Sequence, residues 1–205
     1  MDAESWDLRY AEKEWLLSLE PCQVVVELVS PLKPGRALEL GAGEGRHAVW
    51  LARHGWRVTA VDFSRVALEK AGRRARECGV ELDCLLADVR HLSPRPGAYD
   101  LVLLAYMHPE PGEREAVFAA SAEAVAPGGH LLVVGLDLTD PRAGRGGADR
   151  DWRYTPDRLS GAFPGIELSR CERVTREVET AEGSEQSVDT LAWGRRPDGI
   201  QGPRG

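Results

Sequence analysis

Strand-like and helix-like segments alternate along the first two thirds of this chain of 205 residues. The run at 100–105 is apolar almost throughout, which is typical of a parallel strand buried on both faces. Apolar residues in the intervening stretches recur at helical spacing. The alternation predicts an α/β fold with a doubly wound, mostly parallel sheet. The predicted strands lie at 37–40, 57–61, 82–86, 100–105 and 131–136, and two more at 166–174 and 187–193 predict an antiparallel hairpin.

The length of the chain suits one domain with a sizeable core and is too short for two domains of ordinary size. We therefore expect a single domain over residues 1–196, which includes an N-terminal arm at 1–35. A stretch at 139–153, rich in Gly, Arg and Asp, has no periodicity and predicts a loop. The polar residues 197–205 predict a flexible tail.

Charge and cysteine usage narrow the classes of partner and compartment. A net charge of −7 argues against a nucleic-acid partner, because proteins that track phosphates need a surplus of Lys and Arg. The N-terminus lacks the apolar stretch of a signal peptide, and no apolar run approaches the roughly 20 residues that span a bilayer. These features predict a cytoplasmic protein without a membrane partner. Four scattered cysteines predict buried small residues and no metal site: Cys22, Cys78, Cys84 and Cys171.

A glycine-rich segment, Glu39-Leu40-Gly41-Ala42-Gly43-Glu44-Gly45, lies between a predicted strand and a predicted helix. Glycines there let the backbone turn tightly and approach a ligand closely. Asp62 stands about 20 residues further on at the end of the second predicted strand, where an acidic side chain binds the hydroxyls of a ribose. Together the segment and the acid predict a nucleoside-type ligand.

The spacing of the glycines separates two such ligands. A dinucleotide-binding loop has the pattern G-x-G-x-x-G, and its third glycine would fall at the position of Arg46. The carboxylate of Glu39 would repel a pyrophosphate and attract an ammonium group. S-adenosylmethionine (SAM) carries an ammonium group and no phosphate. The loop therefore favours SAM over a nicotinamide dinucleotide, and a nicotinamide-dependent oxidoreductase is the disfavoured alternative.

At these motifs the chain resembles the class I SAM-dependent methyltransferases, and among them the small bacterial branch with tellurite-resistance and thiopurine-type enzymes. The resemblance covers roughly residues 6–196 and implies a Rossmann-like sheet of seven strands whose last strand is antiparallel. Two residues depart from the branch, since Ala42 and His47 stand where it often has Cys and Asn. The resemblance is carried by Trp6-Asp7-x-Arg9-Tyr10, the segment from Glu39 to His47, Val61-Asp62-Phe63-Ser64, Ala87-Asp88-Val89, Tyr99-Asp100-Leu101-Val102, Ala126-Pro127-Gly128-Gly129 and Tyr154-Thr155-Pro156.

The resemblance also implies a set of cofactor-binding residues. Glu39, Gly41 and Gly43 would face the methionine part of SAM, and Asp62 would bind its ribose. Trp6 and Arg9 of the arm would close over the cofactor. On the adenine side, Phe63 would pack on the ring, Asp88 would accept a hydrogen bond from the amine, and Val89 would give a backbone contact. The set is completed by Ala42, Arg46, Ala87 and Ala105.

Two residues after the fourth predicted strand are candidates for catalysis. His108 would face the place where the methyl group meets its acceptor, and a histidine of near-neutral pKa there could take a proton from a hydroxyl, thiol or amine. Alternatively, His108 caps the strand or lines the cofactor pocket. The same alternatives apply to Tyr106, which would act either in catalysis or as a contact in the pocket.

The sequence thus predicts transfer of a methyl group from SAM to a small-molecule nucleophile (S, O, N or chalcogen) by in-line displacement. A non-catalytic SAM-binding regulatory module is a second alternative, beside the oxidoreductase. Arginines in the loop at 139–153 either bind an anionic acceptor or belong to a solvated loop. The pattern names neither the acceptor nor the oligomeric state.

Overall fold

The computed structural model describes residues 2–141, 150–180 and 183–199. The predicted loop at 139–153 and the predicted tail at 197–205 lie partly outside these residues. In chain order the elements are α1 (Ala3–Ala11), α2 (Gln23–Val29), β1 (Arg36–Leu40), α3 (Arg46–Arg53), β2 (Arg57–Asp62), α4 (Arg65–Glu77), β3 (Asp83–Leu86), β4 (Tyr99–Ala105), α5 (Pro111–Ala124), β5 (Val125–Leu136), a 3-10 turn (Arg150–Trp152), α6 (Pro156–Leu159), β6 (Glu167–Thr180) and β7 (Gly183–Arg195).

Seven strands form one sheet in the order β3-β2-β1-β4-β5-β7-β6. The strand β7 runs antiparallel to both of its neighbours. This confirms the predicted α/β fold with a mostly parallel sheet and an antiparallel last strand. The chain divides into two compact units, one of residues 1–93 and 99–103 and the other of 94–98 and 104–205.

The first unit is built on parallel pairing around β1. That strand pairs with β2 from Arg36↔Arg57 to Leu40↔Val61, and on its other side with β4. Its helix α4 begins where Ser64 caps it by accepting a hydrogen bond from Ala67 N at 3.1 Å, as the sequence predicts. The apolar face of α4 lies against β2 and β3, and α4 also packs against α1.

The second unit is dominated by the hairpin of β6 and β7. The strand β7 pairs with β5 from His130↔Arg195 to Leu136↔Asp189, and with β6 along most of its length. Both hairpin strands extend beyond the predicted ranges of 166–174 and 187–193. Among the added residues 175–178 and 183–186 only Val178 is a large apolar residue, and all of them are exposed or half-buried, so no apolar alternation marks them in the sequence.

The sequence Pro127-Gly128-Gly129 departs from expectation. The pattern predicts a turn that precedes a strand at 131–136, whereas β5 begins at Val125 directly after α5. Gly128 N donates to Arg196 O and Arg196 N donates to Gly129 O, each at 2.9 Å. Pairing with a segment almost 70 residues away in the chain extends the strand, which local propensity does not reveal.

The cysteines also depart from expectation, because none of the four is buried. Cys78 and Cys84 are exposed, and Cys22 and Cys171 are half-buried. Large apolar side chains of the central strands form the core instead. Residues 101–104 of β4 and 131–134 of β5 are fully buried, and each such Leu stabilises the fold by about 1.5–3 kcal/mol relative to an exposed one.

Candidate functional site

The glycine loop between β1 and α3 adopts a conformation that favours glycine. Gly41, Gly43 and Gly45 have φ angles of 72°, 54° and 78°, which residues with a Cβ rarely adopt. A Cβ on Gly45 would lie 2.8 Å from the Cβ of Ala71 in α4. A Cβ on Gly43 would lie 2.9 Å from Oη of Tyr10. The loop is therefore a tight turn that brings the backbone close to α1 and α4.

Asp62, at the end of β2, holds this loop in place. Its Oδ2 accepts a hydrogen bond from Gly43 N at 2.8 Å, and its Oδ1 accepts one from Ser64 N at 2.9 Å. Burial raises the pKa of Asp62, and these backbone hydrogen bonds oppose the rise. Each carboxylate oxygen keeps a further lone pair for a ligand hydroxyl. The predicted ribose contact stays a prediction, while the attachment of Asp62 to the loop is a role that sequence reasoning missed.

Glu39, the residue before the last one of β1, is buried with only one of its oxygens bonded. The residue is 1% exposed, and its Oε1 lies 3.0 Å from Nδ1 of His47. Its Oε2 is buried and has no hydrogen-bond partner among the residues that the structure describes. A buried carboxylate oxygen without a donor is suited to a cationic or N–H group of a ligand. The ammonium group of SAM fits that requirement and a pyrophosphate does not.

The N-terminal helix α1 lies over the same loop. The ring of Trp6 contacts that of Tyr10 at 5.3 Å, and the guanidinium of Arg9 lies 4.4 Å from the Trp6 ring. Asp7 fastens the helix to α4 by accepting a hydrogen bond from Val66 N at 3.2 Å and a short one from the Ser64 hydroxyl. This arrangement brings Trp6 and Arg9 into the same unit as the glycine loop.

A second attachment joins the segment after α1 to the loop. The buried carboxylate of Glu44 accepts hydrogen bonds from Leu16 N and Leu17 N, each at 3.0 Å, and pairs with Lys70 of α4 at 2.9 Å. Lys70 also donates to Lys13 O at 2.7 Å. Sequence reasoning missed Asp7, Tyr10, Glu44 and Lys70 as site residues, although the first three stand within the motifs that carry the resemblance.

The predicted adenine-side residues lie at the ends of β2 and β3. Phe63 and the residues 87–89 are half-buried, and Ala87 N donates to Asp62 O at 3.0 Å. The carboxylate of Asp88 accepts hydrogen bonds from both the backbone and the side chain of Arg90, which lower its pKa. A ligand amine at Asp88 would therefore share the carboxylate with Arg90.

In the second unit, Tyr106 follows β4 in an unusual backbone conformation. Its φ of 59° is the only positive value of a non-glycine residue in the part of the chain that the structure describes. Its hydroxyl donates to Oδ2 of Asp189 at 2.6 Å, and Nε of Arg176 donates to the same oxygen at 2.6 Å. Asp189 is 1% exposed, and its Oδ1 has no hydrogen-bond partner within the described ranges. Ala105, predicted to bind the cofactor, precedes this cluster and is buried.

His108 differs from the expected near-neutral base. Burial lowers the pKa of His108 to about 4, so the ring is uncharged at neutral pH and only weakly basic. Its ring lies 4.7 Å from that of Tyr154, and a Cβ on Gly135 would lie 2.6 Å from its Nε2. That nitrogen is buried against the backbone of β5 and has no hydrogen-bond partner among the described residues.

The start of the predicted loop at 139–153 is fixed by buried aspartates. Burial opposes ionisation of Asp137, but hydrogen bonds from Thr139, Thr190 and Arg173 outweigh it and lower its pKa. Asp140 accepts a hydrogen bond from Val188 N at 2.7 Å. Of the arginines in this stretch, Arg142 and Arg145 lie outside the described residues, Arg150 is exposed and Arg153 is buried.

The residues in the ranges 2–141, 150–180 and 183–199 contain no group of three or more His, Cys, Asp or Glu side chains that could hold a metal ion. None of the helices described there has both the length and the apolar character needed to cross a membrane.

Comparison with known proteins gives matches over most of the chain. A family model described as a methyltransferase domain matches residues 37–129. The ubiquinone biosynthesis O-methyltransferase of Vibrio atlanticus (strain LGP32) is 31% identical over 135 residues, and the match covers 64% of this chain and 56% of that protein. The enzyme of the same name from Ralstonia nicotianae is 28% identical over 193 residues, with 84% and 81% covered.

A solved structure matches over nearly its whole length. The N-methyltransferase NodS from Bradyrhizobium japonicum WM9, in complex with S-adenosyl-L-homocysteine, superposes with a TM-score of 0.73 at 21% identity. The match covers 96% of this chain and 98% of that one. At this level of identity the likeness supports the fold alone. The present chain spans little more than half of the Vibrio relative, at 56% of its length.

Proposed function

We propose that the chain, whose residues 37–129 match a methyltransferase domain, is a class I SAM-dependent methyltransferase that transfers a methyl group from SAM to a nucleophilic atom of a small molecule. The first unit would bind the cofactor through the glycine loop, Asp62 and Glu39. Trp6 and Arg9 would lie over it, and residues 87–89 would contact its base. When bound, SAM supplies a methyl group already activated on a sulfonium.

The observation that carries this proposal is the unbonded Oε2 of Glu39 beside the glycine loop. A buried carboxylate oxygen is stabilised by a donor or a positive charge and is destabilised by a phosphate. In addition, Arg46 stands at the position where the G-x-G-x-x-G pattern of a dinucleotide site has its third glycine. Both features favour a ligand with an ammonium group over a nicotinamide dinucleotide.

For the acceptor, we propose a hydroxyl oxygen of a small molecule. The curated relatives from Vibrio and Ralstonia are O-methyltransferases, and the cluster around Tyr106 suits that chemistry. The phenol of Tyr106 donates its proton to Asp189, so its oxygen is left with lone pairs that can accept a hydrogen bond from an acceptor hydroxyl. As the acceptor oxygen loses its proton to Oη of Tyr106, the phenolic proton moves to Oδ2 of Asp189.

Tyr106 is better suited to this proton transfer than His108. The pKa of about 4 makes His108 a weak base, and its Nε2 faces the backbone at Gly135. Arg176 lies 5.2 Å from the ring of Tyr106 and its Nε donates to Oδ2 of Asp189, so it orients the carboxylate towards the Tyr106 hydroxyl. In methyl transfer the protein contributes mainly by holding the reacting atoms in line and by excluding water. His108 then serves packing around Tyr154.

The test begins with the cofactor. Isothermal titration with S-adenosylhomocysteine and, in parallel, with NADH would be made on the wild type and on Asp62→Asn, which keeps the size of the side chain and loses its charge. We expect the wild type to bind S-adenosylhomocysteine and not NADH, and we expect Asp62→Asn to bind S-adenosylhomocysteine more weakly. Binding of NADH in its place would overturn the proposal in favour of an oxidoreductase.

A screen of acceptors follows with catechols, thiols, amines and chalcogen oxyanions. We expect turnover with hydroxyl acceptors. Turnover confined to thiols or amines would overturn the choice of oxygen and leave methyl transfer standing. Binding of S-adenosylhomocysteine with no turnover on any class would favour the non-catalytic SAM-binding module.

A further inference from the structure

His47, the second residue of α3, is a fully buried histidine beside the cofactor loop and stands where the related branch often has Asn. We propose that His47 is a positioning residue for the cofactor, which acts by fixing the carboxylate of Glu39 so that Oε2 receives the ammonium group of SAM. The inference rests on the proposed function, because it assigns the ammonium group to Glu39.

The hydrogen bonds around the imidazole run in one direction. The backbone N–H of Cys22, at the N-terminus of α2, donates to Nε2 of His47 at 3.3 Å. Since Nε2 accepts, a neutral imidazole carries its hydrogen on Nδ1. That hydrogen points at Oε1 of Glu39, 3.0 Å away. The ring therefore links the backbone before α2 to one oxygen of the carboxylate.

This link determines which oxygen of Glu39 remains available. With Oε1 bound to the imidazole, the carboxylate cannot rotate without losing that hydrogen bond. Oε2 is then held without a donor of its own in the part of the chain that the structure describes. Burial lowers the pKa of His47, which favours the uncharged ring, so the imidazole gives Glu39 a hydrogen bond and no positive charge. Oε2 is therefore the oxygen that a donor from outside the chain can reach.

A matched pair of ligands separates this role from a merely structural one. S-adenosylhomocysteine has the amino-acid ammonium group, and 5′-methylthioadenosine has the same nucleoside without it. A residue that acts through Glu39 on the ammonium affects only the first ligand. A residue that merely supports the fold of the loop affects both.

The experiment compares titrations of both ligands on the wild type, His47→Leu and His47→Gln. We expect His47→Leu to lower the affinity for S-adenosylhomocysteine about 10- to 100-fold, the usual effect of losing a hydrogen bond to a charged group. The affinity for methylthioadenosine should change by no more than about twofold. The glutamine amide can accept from Cys22 and donate to Glu39, so His47→Gln restores most of the affinity for S-adenosylhomocysteine. A parallel loss for both ligands, or no loss for S-adenosylhomocysteine, would overturn the proposal.

Two further measurements keep the proposal falsifiable if His47→Leu fails to fold. In ¹⁵N-histidine spectra of the wild type, the resonances that disappear in His47→Gln should show a neutral ring with hydrogen on Nδ1. The opposite tautomer or a charged ring would overturn it. In addition, Glu39→Gln should reproduce the ligand-selective loss, with weaker binding of S-adenosylhomocysteine and unchanged binding of methylthioadenosine, and a parallel loss for both ligands would overturn the proposal. If the wild type binds neither ligand, the proposed function itself fails, which is a different outcome from failure of the role of His47.

Discussion

The amide of Gly43 donates a hydrogen bond to Oδ2 of Asp62 at 2.8 Å, which joins the glycine loop after β1 to the end of β2. The other oxygen of the same carboxylate accepts from Ser64 N at 2.9 Å, at the start of α4. One side chain thus fixes two turns at the carboxyl ends of adjacent parallel strands, where ligands bind in such sheets. The residue predicted to bind the ribose therefore also fixes the shape of the loop.

Replacing Gly43 tests that loop geometry. Gly43→Ala places a Cβ at a φ of 54° and 2.9 Å from Oη of Tyr10. A left-handed conformation costs a residue with a Cβ roughly 1–2 kcal/mol, so we expect urea denaturation to give a free energy of unfolding lower by about that amount. Because Tyr10 must also move, we expect weaker binding of S-adenosylhomocysteine.

The control for that substitution is Gly72→Ala, inside α4. A Cβ there would meet only the end of the Arg76 side chain at 3.6 Å. Alanine favours the helix interior over glycine, and Gly72→Ala should raise the free energy of unfolding by about 0.5–1 kcal/mol. Equal effects of the two substitutions on stability and on ligand affinity would contradict the role given to the loop.

The pair of Glu44 and Lys70 should hold the segment after α1 in place. Lys70→Met leaves the buried carboxylate of Glu44 without its cation, and breaking a buried pair costs about 3–5 kcal/mol. Because the Lys70 side chain is 12% exposed, we expect a smaller loss, about 1–3 kcal/mol. Hydrogen exchange should accelerate at the amides of Leu16 and Leu17, which donate to Glu44.

An exposed ion pair on the same helix provides the control for Lys70. Arg73 and Glu77 are 3.8 Å apart with about half of each side chain exposed. Removing this pair with Glu77→Gln should change the free energy of unfolding by less than about 0.5 kcal/mol and leave the exchange at Leu16 and Leu17 unchanged. Unchanged exchange in Lys70→Met would show that the segment is held by other contacts.

Much of the fold could be predicted because each parallel strand of the first unit is short, apolar and bounded by glycine or an acid. The strand from Ala37 to Leu40 and the cap at Ser64 are examples. The long hairpin was predicted too short because its outer parts are stabilised by cross-strand pairing of polar residues, which has no apolar signature. The helix α1 has only a weak apolar face, and it is held by a hydrogen bond between Asp7 and Val66, which lie far apart in the chain. For this reason no local pattern predicts where the helix packs.

Part of the candidate site was equally beyond a reading of the sequence. The glycines and Asp62 follow a spacing that has a physical cause, and the structure brings them together. The pKa of His108 depends on burial against β5, which no local pattern encodes. The contact of Tyr106 with Asp189 joins β4 to the last strand, and only the fold brings them within 2.6 Å.

The low pKa of His108 predicts how stability depends on pH. The group titrates near 6.5 when unfolded and near about 4 when folded, so the unfolded chain binds more protons between these values. Its contribution is fully present above about pH 6.5 and is lost as the pH falls towards about 4. His47, whose pKa is also lowered by burial, acts in the same direction.

Urea denaturation from pH 7.5 to 4.5 measures this dependence. We expect the free energy of unfolding to fall with pH, and to fall less in His108→Gln than in the wild type. His54→Gln, at an exposed position, is the control for the replacement of a histidine by glutamine. The same slope in wild type and His108→Gln would contradict the lowered pKa.

Tyr106→Phe tests the proton transfer proposed for the acceptor side. The substitution removes the hydroxyl that donates to Asp189 and keeps the ring that lies near Arg176. Loss of a general base typically lowers kcat about 10²- to 10⁴-fold, and we expect a loss in that range with the best hydroxyl acceptor. Affinity for S-adenosylhomocysteine should stay unchanged, since the predicted cofactor contacts of the first unit are intact.

Tyr99→Phe, at the start of β4, is the matched control and should retain wild-type kcat. A wild-type kcat in Tyr106→Phe would remove Tyr106 from the mechanism and leave positioning as the source of catalysis, because an acceptor already deprotonated in water needs no base.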